Sequence, residues 1–403
     1  MKKSVIILCF ILSVAFLEMA AEISYVQDDT SINAMVSEPR DTIKQESGGL
    51  KGFIGKVINY FNEANKPHPE KKFDISFIGG PHYSSESGFG IGIVGSGIYY
   101  TKRDKSGLPA PSTPGSSISL KLDVSTGQLY KIGAEGYHIF PNDRFRINYD
   151  ASFYSFKDHF WGIGYSQAIN NNNQSVFKRL ESQIKADFVY DLHRFYIGPL
   201  LKFSYINATR VDRPELFDGQ DFRTVNTAIG FTALYDTRDI PLNAYKGVYI
   251  RFNQLFSPRF LWNKYAFSES ELTLAGYAQV WNGGVLASMF HADITYGNTP
   301  WGLMPTFGGS ERMRGYYEGR FRNKCEMDVV VELRQHVWRR NGFVVWVGAG
   351  SVFPRFSSFK WNHVLPNFGI GYRWQFKPRV NVRLDLGLGK GDKGLNFSIN
   401  EAF

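Results

Sequence analysis

Cysteine is scarce in this sequence, because only Cys9 and Cys325 occur among its 403 residues. Cys9 lies in an N-terminal stretch that we expect to be cleaved off, which leaves Cys325 alone and excludes an intramolecular disulfide. Long apolar runs are also lacking. After the run from Val5 to Leu17, no stretch approaches the roughly 18 apolar residues of a membrane-spanning helix. These absences exclude a disulfide-stapled domain and a bundle of transmembrane helices.

Residue patterns that carry enzyme chemistry are missing as well. The eight histidines are scattered without the spacing of metal ligands, and no Gly-x-Ser-x-Gly nucleophile motif occurs. The segment GKGDKG at 389–394 fits a Gly-x-Gly-x-x-Gly pattern, but no helix is predicted after it, which argues against nucleotide binding. We therefore predict no enzyme activity, catalytic residue, metal or cofactor. A hydrolase site built from Ser, His and Asp side chains on barrel walls stays open as an alternative.

The positive charge of the chain does not indicate nucleic-acid binding. The net charge is +9 and the pI is near 9.2, but the basic residues are spread along the chain instead of being clustered on one helix. A secreted chain with this distribution is not expected to meet DNA or RNA. Anionic lipid headgroups are the more suitable partner for such a charge.

The first 72 residues differ in character from the rest. Residues 1–21 place two lysines before an apolar run that small residues follow, which is the layout of a secretory signal peptide. A retained membrane anchor is the alternative. Residues 22–72 are polar at first and then carry apolar residues at helical spacing, so we predict a periplasmic lead with one short amphipathic helix at 50–64. The apolar positions are Leu50, Phe53, Ile54, Val57, Ile58 and Phe61.

From Phe73 onward, apolar residues recur at every second position, which is the period of a β-strand. In VNVRLDLGL (380–388), valines and leucines alternate with asparagine, arginine and aspartate. Counting such runs gives sixteen, from 73–79 to 394–402. A soluble sandwich would alternate too, but many runs reach ten residues, as a tilted crossing of a bilayer requires. We predict an all-β fold, a 16-stranded antiparallel transmembrane β-barrel over 73–403 in a bacterial outer membrane.

The predicted connections differ between the two barrel ends. At one end they are mostly short, whereas the other end has long loops at 157–174, 209–221 and 298–324, an asymmetry typical of outer-membrane barrels. The connection at 103–115 is an exception, because it is long where a short turn is expected. The first strand is predicted to be short and to end at residues 79–81, Gly-Gly-Pro, which limits its hydrogen bonds and favours a weak seam with strand 16.

The segment GGSERMRGYYEGR at 308–320 lies in the long loop between predicted strands 11 and 12. It carries an Arg-Gly-Tyr tripeptide after a Gly-Gly pair, and YDTRDIPLNAYKG at 235–247 carries an Asp-x-Arg-Asp turn. The chain also ends on an alternating strand closed by phenylalanine. In these features the sequence resembles the BamA/TamA superfamily of outer-membrane assembly and translocation barrels, over the whole of 73–403. The matching residues are Gly308, Gly309, Arg314, Gly315 and Tyr316 in the loop, Asp236, Arg238 and Asp239 in the turn, and Phe397, Ile399 and Phe403 in the C-terminal barrel signal.

The resemblance implies that the sixth loop folds into the barrel and that Arg314 anchors it in the lumen. A sixteen-stranded barrel encloses more space than its own side chains fill, which is a physical reason for such a loop. Glu332 faces the same interior by strand alternation and matches the family's acidic partner for Arg314. The family's second carboxylate would lie at Gly348, so we expect that second anchor to be lost.

The family's assembly members receive their clients through POTRA modules, and residues 22–72 are too short for one module. We therefore expect a member that lacks POTRA modules. The implied function is to assist the insertion or translocation of proteins or lipids at the outer membrane, with outer-membrane lipid, client proteins and assembly-machinery subunits as partners. Two alternatives stay open: a passive or plugged pore whose loop constricts the lumen, and a structural or surface barrel without transport activity.

Overall fold

The computed structural model of the chain describes residues 73–102, 115–141, 144–241, 243–377 and 379–403. The predicted signal peptide (1–21) lies outside these residues. The lead (22–72), where a short helix was predicted, and most of the 103–115 connection lie outside them too.

The regular secondary structure of the described chain consists almost entirely of β-strands. Its one α-helix, α1 (Tyr165–Ala168), is a single turn, and 3-10 turns occupy Pro214–Phe217, Arg259–Leu261, Trp301–Leu303, Phe356–Ser358 and Trp361–His363. None of the helices in the described ranges has the length and hydropathy needed to cross a bilayer. The strands are β1 (Asp74–Ser84), β2 (Gly88–Tyr99), β3 (Ser116–Ser125), β4 (Tyr130–Ile139), β5 (Phe145–Phe160), β6 (Ser175–Asp191), β7 (Phe195–Thr209), β8 (Arg223–Asp236), β9 (Gly247–Ser257), β10 (Phe267–Trp281), β11 (Gly284–Gly297), β12 (Thr306–Phe307), β13 (Phe321–Arg322), β14 (Cys325–Trp338), β15 (Asn341–Phe353), β16 (Leu365–Lys377), β17 (Val380–Gly389) and β18 (Asp392–Ile399).

Sixteen of these strands close into one antiparallel barrel. Each strand pairs with its neighbour in the chain, β11 pairs with β14, and β1 meets β18 to complete the circle. The remaining two, β12 and β13, pair with each other inside the connection between β11 and β14. Predicted strands 12 and 16 are therefore β14 and β18. The prediction of an all-β, 16-stranded antiparallel barrel is confirmed.

The strands separate an apolar outer face from a polar inner face. In β17, Leu384 and Leu386 are exposed, whereas the intervening Arg383 and Asp385 are buried. The same alternation recurs around the wall, and it gives the outside a continuous apolar surface of the kind that faces hydrocarbon. Other exposed apolar residues of this surface are Ile91, Ile93, Leu120, Leu122, Ile229, Phe231, Val345, Val347, Phe368 and Ile370.

The two barrel ends carry different connections. One end, here called the long-loop end, has the connections 161–174, 210–222 and 298–324, together with the tight turn Ser85–Ser87. The opposite end, the short-turn end, has mostly tight turns such as the one at 282–283. The predicted asymmetry is therefore present.

The first strand differs from its prediction. β1 does not end at Gly79–Pro81 but continues to Ser84, because β2 pairs with it along its whole length, including Pro81 opposite Ile91. A proline is tolerated here because only one edge of the strand forms a long ladder.

The contact that closes the barrel is much shorter than the others. β1 and β18 are matched at two positions, Tyr83 with Phe397 and Ser84 with Asn396, both close to the long-loop end. All other neighbouring barrel strands in the described chain are matched over eight to sixteen residue pairs. The cause is the length of β18, which ends at Ile399, and Asn400 then turns the backbone with a φ of 72°. We call this β1–β18 contact the seam.

Candidate functional site

Residues 308–322 form a compact segment that packs against the barrel wall. It begins at Gly308 and Gly309, whose φ values are 106° and 107°, and it ends in the β12–β13 ribbon. Its buried apolar side chains join the largest apolar cluster of the described chain, together with residues of β14, β15 and β16. The members contributed by the segment are Met313, Tyr316 and Phe321, and those of the wall include Val330, Val344, Trp346 and Leu365.

Arg314 is completely buried between two strands that are not neighbours. One guanidinium nitrogen donates to a carboxylate oxygen of Glu332 on β14, and the other donates to Oδ2 of Asp385 on β17 at 2.9 Å. The guanidinium also lies over the ring of Trp346, 3.7 Å from its centroid. Two carboxylates and an aromatic face thus compensate a charge that would be very costly to bury alone.

These groups belong to a closed ring of alternating charges, which we call the charge ring. Glu332 also accepts from Arg334 at 2.7 Å, and Asp385 also accepts from Arg373 at 2.5 Å. Glu401 completes the ring, since it lies 2.8 Å from Arg373 and 3.9 Å from Arg334. The charge ring therefore consists of Arg314, Glu332, Arg334, Glu401, Arg373 and Asp385, and Arg383 borders it 3.7 Å from Asp385.

A close backbone approach positions Arg314 at this depth. A Cβ atom added to Gly387 of β17 would lie 2.0 Å from the Arg314 carbonyl oxygen, and one added to Gly315 would lie 2.6 Å from the Gly387 carbonyl carbon. Gly315 also has a φ of 112°, which other residues rarely adopt. Asn367 of β16 donates to the same Arg314 carbonyl at 2.5 Å. The Arg-Gly pair and the glycines of β17 are therefore complementary in shape.

The second carboxylate comes from a strand that was not expected to supply it. Position 348 is indeed a glycine, and its missing side chain leaves room for Met313, whose sulfur would lie 3.3 Å from an added Cβ. Asp385 of β17 takes over the role instead. The expectation that Arg314 keeps only one anchor is therefore wrong for this structure.

Tyr316 and Tyr317 extend the contacts of the segment toward the long-loop end. The Tyr316 hydroxyl donates to the Pro366 carbonyl and accepts from the Lys390 amide, both at 2.6 Å. The Tyr317 hydroxyl donates to Asp158 of β5 at 3.0 Å. The segment is thus bonded to strands on opposite sides of the seam.

The Asp-x-Arg-Asp turn lies at the short-turn end, and its charged groups bond locally. Arg238 donates to both carboxylate oxygens of Asp236, at 3.0 and 2.8 Å, and lies 4.2 Å from the Tyr249 ring centroid. Asp239 accepts from the Tyr245 amide and pairs with Arg379 in the β16–β17 turn at 2.5 Å. The structure pairs Asp236 with Arg238 and joins Asp239 to the β16–β17 turn, and it brings none of the three to Arg314.

The predicted C-terminal signal residues are divided between two places. Phe397 and Ile399 lie on β18, but the turn at Asn400 takes the last residues out of the strand. Phe403 packs on Tyr277, and its carbonyl oxygen accepts from Arg334 at 2.7 Å. The terminal aromatic ring therefore lies against inward-facing residues and does not continue the outer face of β18.

Several residues of the site escaped sequence reasoning. Strand alternation assigns Arg334, Asp385 and Arg383 to the polar face, and this pattern could have marked them as candidates for the site. Glu401 gave no such signal, because the strand pattern placed it with Ile399 on the apolar face.

The comparison with solved structures supports the barrel fold. No protein-family model matches the sequence, and no curated protein matches it. Among solved structures, the chain is similar to BamA from Haemophilus ducreyi lacking POTRA domains 1–3, with a TM-score of 0.56 and 12% identity over 82% of this chain and 70% of that one. It is also similar to CdiB from Escherichia coli (TM-score 0.55, 10% identity, 83% of this chain and 64% of that one) and CdiB from Acinetobacter baumannii (TM-score 0.51, 11% identity, 82% and 60%). The chain thus spans less than two thirds of the length of either CdiB chain. At these identities the similarity shows the fold, a 16-stranded barrel of the type found in BamA and CdiB.

Proposed function

We propose that the protein is a BamA/TamA-like barrel of a bacterial outer membrane that assists the insertion or translocation of proteins or lipids. The observation that carries this proposal is the seam, which holds β1 to β18 at two positions only. Its partners would be outer-membrane lipid, client proteins and assembly-machinery subunits.

A seam of this kind costs little to open. A backbone hydrogen bond contributes about 1 kcal/mol net, so the ladder at the seam is several-fold weaker than any other in the wall. From Ile75 to His82, β1 is matched with β2 and, within the described ranges, with no residue of β18. Such an edge is a template for an incoming strand, whose amides would bond to it inside hydrocarbon.

We further propose that the 308–322 segment is the inward-folded sixth loop and that it fills part of the lumen. Buried Arg314, with carboxylates of β14 and β17 on either side, supports this placement. The loop would seal the barrel against passive leakage while the seam is available to clients.

A second candidate function is a passive or plugged pore. It is favoured by a cavity of about 640 Å³ inside the barrel, lined by charged residues of both signs. They include Lys131, Asp150, Arg179, Glu181, Lys202 and Glu269. A polar, hydrated lumen of this type suits the passage of small solutes.

A disulfide across the seam tests the first proposal. Tyr83→Cys and Phe397→Cys, in a Cys325→Ala background, place two thiols at a register pair of β1 and β18. The chain in lipid vesicles should accelerate the folding of a small, urea-unfolded outer-membrane barrel. The oxidised variant should lose this acceleration, because β1 and β18 then stay joined at the long-loop end and cannot separate completely, and a reductant should restore it.

A matched control uses the register pair of β8 and β9 with Ile229→Cys and Phe256→Cys, which should not respond to oxidation. If the oxidised seam variant accelerates folding as well as the reduced one, insertion does not need β1 and β18 to separate completely, and the proposal fails.

A further inference from the structure

Two consecutive backbone amides of the 308–322 segment bond to opposite sides of the seam. The Tyr317 amide donates to Oδ2 of Asp392 at 3.1 Å, next to the β17–β18 turn. The Glu318 amide donates to Oε1 of Glu86 at 2.6 Å, in the β1–β2 turn. One side of the seam is therefore connected to the other through a single peptide unit.

Other bonds hold the same residues in place. Arg320 donates to the Gly391 carbonyl at 3.3 Å and lies 3.5 Å from Asp392, which fastens the segment to the β17–β18 turn. The hydroxyl of Tyr316 binds the Lys390 amide in that turn. On the β1 side, Glu86 provides the contact with the segment. A direct bond across the seam exists too, from the Leu395 amide to the Ser85 hydroxyl at 2.9 Å.

We propose that Tyr317, Glu318, Glu86 and Asp392 form a latch that holds the seam closed at the long-loop end. This inference rests on the proposed function, because a latch has a use only where β1 and β18 separate. It assigns the sixth loop a second role besides filling the lumen, the control of the seam.

The position of the latch determines how the seam opens. Both matched positions of the seam and both latch carboxylates lie at the long-loop end, whereas β18 ends early toward the short-turn end. Opening at the short-turn end therefore breaks no ladder, and complete separation of the strands requires the latch to release. While the latch is intact, the strands can separate only at the short-turn end. When the latch bonds break, the strands can separate along their whole length.

Spin labels across the seam measure this directly. The register aligns Phe89 of β2, Tyr83, Phe397 and Leu384 of β17 at one level, and Phe89 and Leu384 are both exposed on the outer face. Labels at Phe89→Cys and Leu384→Cys, in a Cys325→Ala background, span three strand spacings, roughly 14 Å when the seam is closed. The full chain in lipid vesicles, without any client, is the sample.

Removing both latch acceptors should open the seam. Glu86→Ala with Asp392→Ala should raise the ratio of wide to narrow label separations by at least roughly tenfold, as expected for the loss of two backbone-to-side-chain hydrogen bonds. Glu86→Gln with Asp392→Asn should keep the narrow separation, since the side-chain carbonyl oxygens still accept from the two amides. Glu215→Ala, which removes an exposed carboxylate of the 210–222 loop, is the matched control.

The latch is refuted if the alanine pair gives the same distances as the control, or if the Gln/Asn pair widens the seam as much as the alanine pair. The outcome is separable from the proposed function because the distances require no client. If the alanine pair widens the seam but the chain never accelerates client folding, the proposed function is wrong and the latch stands. If the alanine pair leaves the seam unchanged but the chain inserts clients, the latch is wrong and the proposed function stands.

Discussion

Arg314 is held by two carboxylates and by the face of Trp346, and all of these contacts are buried. The guanidinium can bridge β14 and β17 because it presents several donors in one plane. A lysine has a single charged nitrogen and cannot reach both strands while it stacks on the indole. The positions of the two carboxylates and the indole ring therefore explain why residue 314 is an arginine.

Removal of the guanidinium should weaken the barrel. We expect Arg314→Ala to lower the free energy of unfolding by about 3 kcal/mol, because Glu332 and Asp385 would stay buried with one cation fewer. Urea unfolding in lipid vesicles, followed by tryptophan fluorescence, measures the change. Arg259→Ala, at an exposed position in the β9–β10 connection, should leave the unfolding midpoint unchanged. Equal midpoints for the two variants would show that Arg314 does not stabilise the wall.

Part of this site could be anticipated from single residues. The alternation of β14 turns Glu332 inward, and the tripeptide marks Arg314, so the pair could be named from the sequence. Asp385 could be assigned to the inner face but not to Arg314, because β15 and β16 separate its strand from β14. Only the curvature of the closed barrel brings Glu332 and Asp385 to the same guanidinium.

At the scale of elements, the seam depends on where two strands end. The period of two identifies β1 and β18, but pairing depends on the overlap of their ends. Two features set that overlap. The turn at Asn400 ends β18, and β1 continues through Gly79–Pro81. Glycine and proline have a low strand propensity, which opposes this continuation. β2 overrides that propensity because it offers a complete ladder to one edge of β1.

The contact between the β1–β2 turn and the segment should depend on pH. Burial and the neighbouring Glu318 raise the pKa of Glu86 to about 8, with Asp158 and Asp392 adding to the rise and the Glu318 amide opposing it. When the turn is free in solvent, the pKa of the carboxyl returns to its usual value near 4.5. The closed contact therefore holds a proton that the open one releases, and it is strongest below pH 4.5 and weakens as pH rises toward 8.

The label distances between Phe89→Cys and Leu384→Cys check this pH dependence. The fraction of wide label separations should increase between about pH 5 and pH 8. Linkage to one proton allows at most roughly a tenfold change per pH unit. The observed change should be smaller, because Glu86 is only half-buried. The increase should disappear in Glu86→Gln, which has no proton to lose. A pH response that persists in Glu86→Gln would assign the effect to another group.

For the molecule as a whole, the run lengths and their alternation were sufficient to predict a closed barrel of sixteen strands. The number of strands could be counted from the alternating runs in the sequence. Each run is one strand, because antiparallel neighbours follow each other directly through short connections. The position of the long 298–324 connection relative to the wall did not follow from any periodicity. It depends on contacts between Arg314, Gly315 and three different strands, which no local pattern encodes.

Deletion of residues 308–320 should separate the two candidate functions. The intact chain in planar bilayers should conduct little, because the segment fills part of the lumen in the placement that we propose. The deletion should give steady ohmic openings, since the cavity of about 640 Å³ would then extend through the barrel. Deletion of residues 259–262, which are mostly exposed and lie at the long-loop end, is the control and should not conduct more than the intact chain. Large, steady currents from the intact chain would favour a pore.

The inclusion of Glu401 in the charge ring has an electrostatic consequence for the whole wall. If the C-terminal residues were drawn away, Arg314, Arg334, Arg373 and Arg383 would be left facing only Glu332 and Asp385. Mutual repulsion among these four guanidinium groups would then push the Arg-Gly-Tyr tripeptide away from β17. Any partner that binds residues 401–403 would thereby change the electrostatic potential that holds the tripeptide, which lies 85 to 89 positions earlier in the sequence.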